Sequence, residues 1–192
     1  LATAELLDPG RVPGLAEALR AHDAKAVTRA VYEACGGDDR PLPPAAPHPD
    51  AVASADEVLD HVFTFYDEPH ALGERIDWEH NPGTAHWGCD LNRFSFLGSL
   101  AAAFESTGEP RYARKAVELI GDWVEQSDAG LCFSGTPYMF GSYLNNAIHC
   151  AAWGGCLRRL LPFGPVRPDE LMPILKSLHD QLAWLEIVTH GH

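Results

Sequence analysis

Two apolar stripes at helical spacing, joined by a short break, constrain the fold of this chain more than any other feature. Leu91, Phe94, Leu97, Leu100, Ala101 and Phe104 recur every three or four residues, which puts them on one face of a helix with a period of about 3.6 residues. Tyr112, Ala113, Ala116, Val117, Ile120, Trp123 and Val124 repeat the pattern. Between the two stands the run Ser-Thr-Gly-Glu-Pro at 106–110, where Gly108 can take a positive φ to end one helix and Pro110 can begin the next. Two amphipathic helices on so short a tether pack antiparallel, because that arrangement buries both stripes against each other.

The same reading extends along the chain. Leu15, Ala18 and Leu19, then Val27, Ala30 and Val31, predict a short helical pair whose second member is capped by Asp23. The run 36–50, rich in glycine, proline and charge, reads as a surface linker. Ser54 with Glu57 forms a capping-box pattern, and Val58, Leu59, Val62, Phe63 and Tyr66 follow as the apolar face of a third helix. After the central pair, the run 126–141 is longer than most connections and is a candidate binding loop. Ser142 then opens a helix to about Leu161, and Phe-Gly-Pro-Val-Arg-Pro breaks it before a last helix bearing Leu171, Ile174, Leu175, Leu178, Leu182 and Leu185. No segment alternates with a period of two, and no fixed-period repeat is evident. The expectation is one all-α domain of antiparallel helical hairpins across 1–192.

Charge narrows the range of partners. Lysine and arginine number 14 against 27 acids, a formal net charge of −13, which argues against nucleic acid because such a partner requires a basic stripe. An acidic ligand would need local cations, and Arg93, Arg111, Arg114, Lys115, Arg158 and Arg159 are the candidates. No apolar run is long enough to span a membrane, and no signal peptide is visible. The first residue is not Met and the end is abrupt, so a processed or shortened protein is expected. Five cysteines form no CxxC pair, which excludes a zinc ribbon and a full disulfide framework; Cys150 and Cys156 read as buried free thiols. The ten histidines are dispersed, and neither a metal nor a cofactor is expected.

Three constellations carry possible chemistry. Trp87, Asn92 and Arg93 stand at what reads as the first turn of a helix, where an indole can stack on a sugar face and a guanidinium can grip a carboxylate or sulfate. The alternative is that Trp78 and Trp87 fill the core while Arg93 pairs with a nearby acid. Asn145, Asn146 and His149 fall on consecutive turns of one helix, beside Tyr138 and Tyr143, and suit hydroxyl binding or an internal hydrogen-bond network. His190 and His192 close the chain as a His-Gly-His pair, enriched at functional sites though short of a zinc set. No nucleophile-elbow, phosphate-loop or His-Glu-x-x-His motif occurs.

The order of pieces from Ile76-Asp77-Trp78 through Trp87, Asn92-Arg93, Thr107-Gly108 and Tyr112-Ala113 to Trp123 resembles the N-terminal domain of the heparinase II/III-type polysaccharide lyases, a group that includes alginate lyases of similar fold. The resemblance implies an incomplete (α/α) toroid, followed by further helices and a β-sandwich. It implies an acidic polysaccharide as partner and β-elimination at a uronic acid, with an Asn or His neutralising the C5 carboxylate and Tyr or His moving the protons. His190 or His192 would stand near the neutralising position, and the substrate side would comprise Trp87, Arg93, Tyr138, Asn145, Asn146 and His149. This chain alone is then expected to be inactive. Periplasmic or secreted location follows by the same likeness. Two other readings stand beside it: a glycoside hydrolase on a related toroid using Asp77 and Asp90, and a non-catalytic carbohydrate-binding domain.

Overall fold

The computed structural model describes residues 8–37, 48–83, 85–127, 143–163 and 166–190. Its described part holds eight helices and one small two-stranded sheet. The opening pair is α1, Leu15–Arg20, and α2, Ala24–Ala34. As expected, Asp23 caps α2, its carboxylate accepting from the backbone N–H of Lys25 and Ala26 at 3.0 and 3.1 Å.

The third helix differs from the prediction at both ends. α3 runs Pro49–Leu59, so Pro49 and Asp50 belong to its first turn rather than to the linker; positions 38–47 of that linker lie outside the described residues. Proline suits this position because the missing N–H is one the first turn leaves unpaired anyway. At the other end the helix stops at Leu59, and His61 takes φ 55°. Val62, Phe63 and Tyr66 are therefore not on a helix. They belong to an antiparallel hairpin of β1, Val62–Phe65, and β2, Glu68–Ala71, in which Phe63 faces His70 and Phe65 faces Glu68. The Val-Phe-Thr-Phe run is β-branched and aromatic, and this favours a pleated strand over another helical turn. Four residues are too few to display an alternation, so the period test passed over the strand.

A second difference lies at the predicted central stripe. Leu91 to Phe104 is not one helix: α4, Ala85–Asn92, ends where α5, Leu97–Thr107, has yet to begin. Arg93 thus follows the last turn of α4 instead of opening a helix. Between them Phe94 adopts φ 56°, a left-handed conformation rare for so bulky a residue. From there the pattern holds. Gly108 ends α5 at φ 71°, and Pro110 begins α6, Pro110–Gln126. α7, Tyr143–Leu160, and α8, Pro168–His190, form the last hairpin.

Helix α5 packs on α3, α6 and α7, while α8 closes against α2, α6 and α7. At the centre of this arrangement is an aromatic box around Phe94. Trp78 stacks on it at 5.0 Å between ring centroids, and Trp123, His149 and Trp153 meet it edge-on at 6.3, 4.9 and 5.3 Å. Such stacked and T-shaped contacts match the ring quadrupoles. The left-handed turn at Phe94 is what swings its ring into this box.

Asn92 ties the box together. Its amide nitrogen donates to the carbonyls of Trp78 and Gly88 at 2.7 and 3.1 Å, and its amide oxygen accepts from Trp123 Nε1 at 3.1 Å. Its backbone carbonyl faces His149 Nδ1 at 2.8 Å. Only a neutral amide can donate and accept in this pattern. Asn92→Asp, which turns the two donor contacts into repulsions, is expected to destabilise the fold by roughly 3 kcal/mol at neutral pH, with part of the loss recovered when the new carboxyl is protonated in acid. Urea titrations at two pH values measure this, and an unchanged midpoint would refute it.

Candidate functional site

The helices α4 and α7 meet at a polar seam on one edge of the aromatic box. Arg93, just past α4, donates from Nε to Asn145 Oδ1 at 2.8 Å and from Nη1 to Asp90 Oδ1 at 3.1 Å. Asn145 reaches back to α4 through a contact of its amide nitrogen with Cys89 Sγ at 3.4 Å. The other oxygen of Asp90 accepts from the hydroxyl of Tyr66, at the hairpin tip, at 2.5 Å. Hairpin, α4 and α7 are thus joined by one run of bonds: Tyr66, Asp90, Arg93, Asn145. Of the two readings weighed for Arg93, the pairing with a nearby acid is the one seen, with Asp90 as the acid, and the bond to Asn145 adds to it. The guanidinium has five N–H donors, and two of them are used in these bonds. The Arg93 side chain keeps 24% of its surface in solvent.

Other expected residues fall elsewhere. Trp87 is fully buried: its Nε1 donates to the carbonyl of Glu68 at 3.0 Å, and its ring is met by Phe65, His70 and His80. Its faces are taken up by protein, so it pins the hairpin to α4 and offers no platform to a sugar. Trp78 is likewise buried, donating to Asp122 at 2.7 Å. Asp77 accepts from the Glu79 backbone N–H at 3.0 Å, forming a local turn. Among the other cations, Arg111 pairs with Asp56 and Glu109, Arg114 with Glu170, Lys115 with Glu118, and Arg159 with Glu105. Those contacts with carboxylates account for much of the positive charge that seemed available to an anion. Tyr138 and His192 lie outside the described residues, as does the candidate loop from 128 to 141, and His190 is the last residue of α8. Among the described residues, no three His, Cys, Asp or Glu side chains are grouped so as to hold a metal ion. Sequence reasoning missed Tyr66 as a member of the seam, because it had been placed on a helix; the Tyr-Asp pair closing a strand-like run was the available signal.

The inner face of α7 carries Asn145, Asn146 and His149 together, as their spacing predicts, and all three are buried. His149 is held by Trp123 and Trp153, whose ring centroids lie 4.5 and 4.1 Å away. Burial pushes its pKa down to about 4, against a smaller opposing effect of the Asn92 carbonyl. The ring is therefore neutral at physiological pH. A carbonyl can only accept, so Nδ1 bears the proton and Nε2 is left as an acceptor. That Nε2, together with Asn146 Nδ2 and Trp153 Nε1, has no hydrogen-bond partner among the described residues. One helix face thus presents a buried acceptor and two buried donors. The unfolded chain takes up a proton below about pH 6.5 and the folded chain only near 4, so the stability this neutral His contributes is present above pH 6.5 and lost on acidification, by roughly 3 kcal/mol in total. The unfolding free energy of the parent relative to His149→Gln should fall by about that much between pH 7 and 4; a pH-independent difference would show that the imidazole does not titrate this way.

Residues 48–153 match the family described as Heparinase II/III N-terminus. The comparison with curated proteins finds no match. Among solved structures, the chain is similar to heparan sulfate lyase HepC from Pedobacter heparinus, with a TM-score of 0.78 at 20% identity, covering 95% of this chain and 32% of that one. It is also similar to a heparinase III, the BT4657 gene product, with a TM-score of 0.73 at 17% identity, covering 98% of this chain and 32% of that one. At such identities the likeness speaks for the fold, an all-α, incomplete toroid of antiparallel hairpins. The chain spans about a third of the length of these structures. With more than half of its residues inside the family match, and the Asp77-to-Trp123 core of the resemblance lying wholly within it, this chain belongs to the heparinase II/III N-terminal family.

Proposed function

We propose that this chain is the N-terminal, cleft-forming part of a lyase that cleaves a uronic acid-containing polysaccharide by β-elimination. The observation that carries the reading is the part-exposed Arg93 side chain, fixed by Asp90 and Asn145 inside a domain of this family. Its substrate class is drawn from the heparan sulfate lyase and heparinase III with which the chain shares its fold. Abstracting a proton next to a carboxylate builds negative charge, and pre-placed donors lower that barrier because they need no reorganisation at the moment of reaction. Arg93 suits the binding of a flanking carboxylate or sulfate, since its fork is already oriented by two protein partners. Asn146 and His149, both buried, are proposed to support the substrate side from behind by holding a trapped water, whose hydroxyl can donate to Nε2 of His149 and accept from an amide N–H.

In this reading His190 and His192 remain the proposed catalytic positions, near the group that neutralises the C5 carboxylate, and Tyr138 is proposed to join the substrate side. The bulk of the reaction set then belongs to further toroid helices and a β-sandwich region of the same polypeptide. Export to the periplasm or beyond the cell is part of the same proposal, because polymers of this kind are met outside the cytoplasm.

The full-length protein, incubated with heparan sulfate, chondroitin sulfate, hyaluronan and alginate without added metal, is expected to release unsaturated products that absorb in the ultraviolet from at least one of them. No such absorbance from any of the four would overturn the lyase reading. Arg93→Lys keeps the charge and loses the planar fork, so kcat/KM on the cleaved polymer should drop about tenfold or more. An unchanged kcat/KM would remove Arg93 from the substrate side.

A further inference from the structure

The hairpin tip carries a feature that the family match does not explain. β1 and β2 are joined by two residues, Tyr66 and Asp67, with φ of 56° and 60°. A two-residue turn with both φ values positive is the usual hairpin closure, and Asn-Gly is the pair that fills it without strain. Aspartate tolerates the left-handed region; a bulky tyrosine there is an outlier. Tyr66 gains no burial in exchange, for 63% of it is exposed. Strain kept at a solvent-facing aromatic, in a short loop where a smaller residue would do, is a mark of function.

The surroundings indicate what that function is. Its hydroxyl donates to Asp90, the acid that also holds Arg93. The hydrogen bond to Asp90 pushes the phenol above its ordinary range, so the hydroxyl stays a donor at neutral pH. No ring contact to Tyr66 occurs among the described residues, in contrast to Trp78, Trp87, Trp123 and Trp153, all of which are buried. The ring is therefore anchored at one end with most of its surface in solvent, one carboxylate away from a guanidinium that uses two of its five donors in the bonds to Asp90 and Asn145.

We propose that Tyr66 is a substrate-contacting residue: its ring is a stacking platform for one sugar of an acidic polysaccharide whose carboxylate or sulfate is gripped by Arg93. This rests on the lyase reading above and adds to it a subsite on the hairpin. Sugar rings present C–H faces that pack on aromatic surfaces, and an anchored tyrosine makes such a contact at low entropic cost because few torsions remain to be fixed. The strained turn presents the ring beside the guanidinium, and Asp90 fixes their spacing.

The test uses the full-length protein acting on heparan sulfate and on alginate, with steady-state kinetics and thermal unfolding recorded for each variant. Tyr66→Ala should raise KM about tenfold while kcat changes by less than about threefold. Tyr66→Phe, which keeps the ring, should raise KM by less than about threefold. Replacing the turn by Tyr66→Asn with Asp67→Gly should raise Tm, since the strain is gone, and raise KM as much as the alanine variant does. A cleaving wild type whose KM is unmoved by both ring-removing changes overturns the stacking subsite and leaves the lyase reading intact. A Tm that falls in the Asn-Gly variant with KM unchanged marks Tyr66 as a turn residue only, and also overturns it. A wild type that cleaves neither polymer, nor chondroitin sulfate nor hyaluronan, overturns the lyase reading and this subsite with it.

Discussion

One buried amide organises this domain. Asn92 has its donor nitrogen on the carbonyls of Trp78 and Gly88, its oxygen on the Trp123 indole, and its own carbonyl on His149. In a single residue it joins the segment before α4, α4 itself, α6 and α7. Each of these contacts is made in the buried interior, where an unpaired polar group is costly and a satisfied one is strongly directional. The aromatic box needs such direction, because packed rings by themselves tolerate sliding. With Asn92 in place, Phe94 must turn left-handed to enter the box, and the chain leaves that turn headed into α5. The tautomer of His149 follows as well, since the Asn92 carbonyl demands a proton on Nδ1.

The polar seam lies one residue beyond this anchor, and that adjacency links fold to function. Arg93 is held close to its place by the covalent chain, then aimed by Asp90 and Asn145. A chain carrying −13 overall repels an acidic polymer at long range, so under the proposed function attraction would have to come from a local cation. Arg111, Arg114, Lys115 and Arg159 are each held by carboxylates from neighbouring turns or helices. Arg93 shares one carboxylate with a tyrosine and meets a neutral amide at its other edge.

Much of the helical architecture was legible from spacing alone. Asp23, Gly108 and Pro110 each do what their chemistry suggests, and the buried faces of α6 and α7 are those the apolar and polar spacing marks out. The errors cluster where aromatic residues dominate. Val62 to Tyr66 and Leu91 to Leu97 contain rings that suit a helix face, a strand face or a tight turn equally well, so a 3.6-residue pattern appeared in both where none is present. Trp87 was left open for the same reason: an indole beside an arginine in sequence can stack on a ligand or sit in a core, and only its packing against Phe65, His70 and His80 decides for the core.

The sequence by itself determined the class of fold, the helix ends marked by Asp23, Gly108 and Pro110, the family and the pairing of Asn145 with His149 on one face, because these depend on local spacing and on backbone chemistry at Asp, Gly and Pro. Only the tertiary structure decided which aromatics are buried, that Arg93 meets Asn145 across 52 positions of chain, and that Tyr66 stands at a strained turn beside Asp90. Those outcomes depend on contacts between segments far apart in the chain, and no local pattern encodes which distant partner will satisfy a given donor.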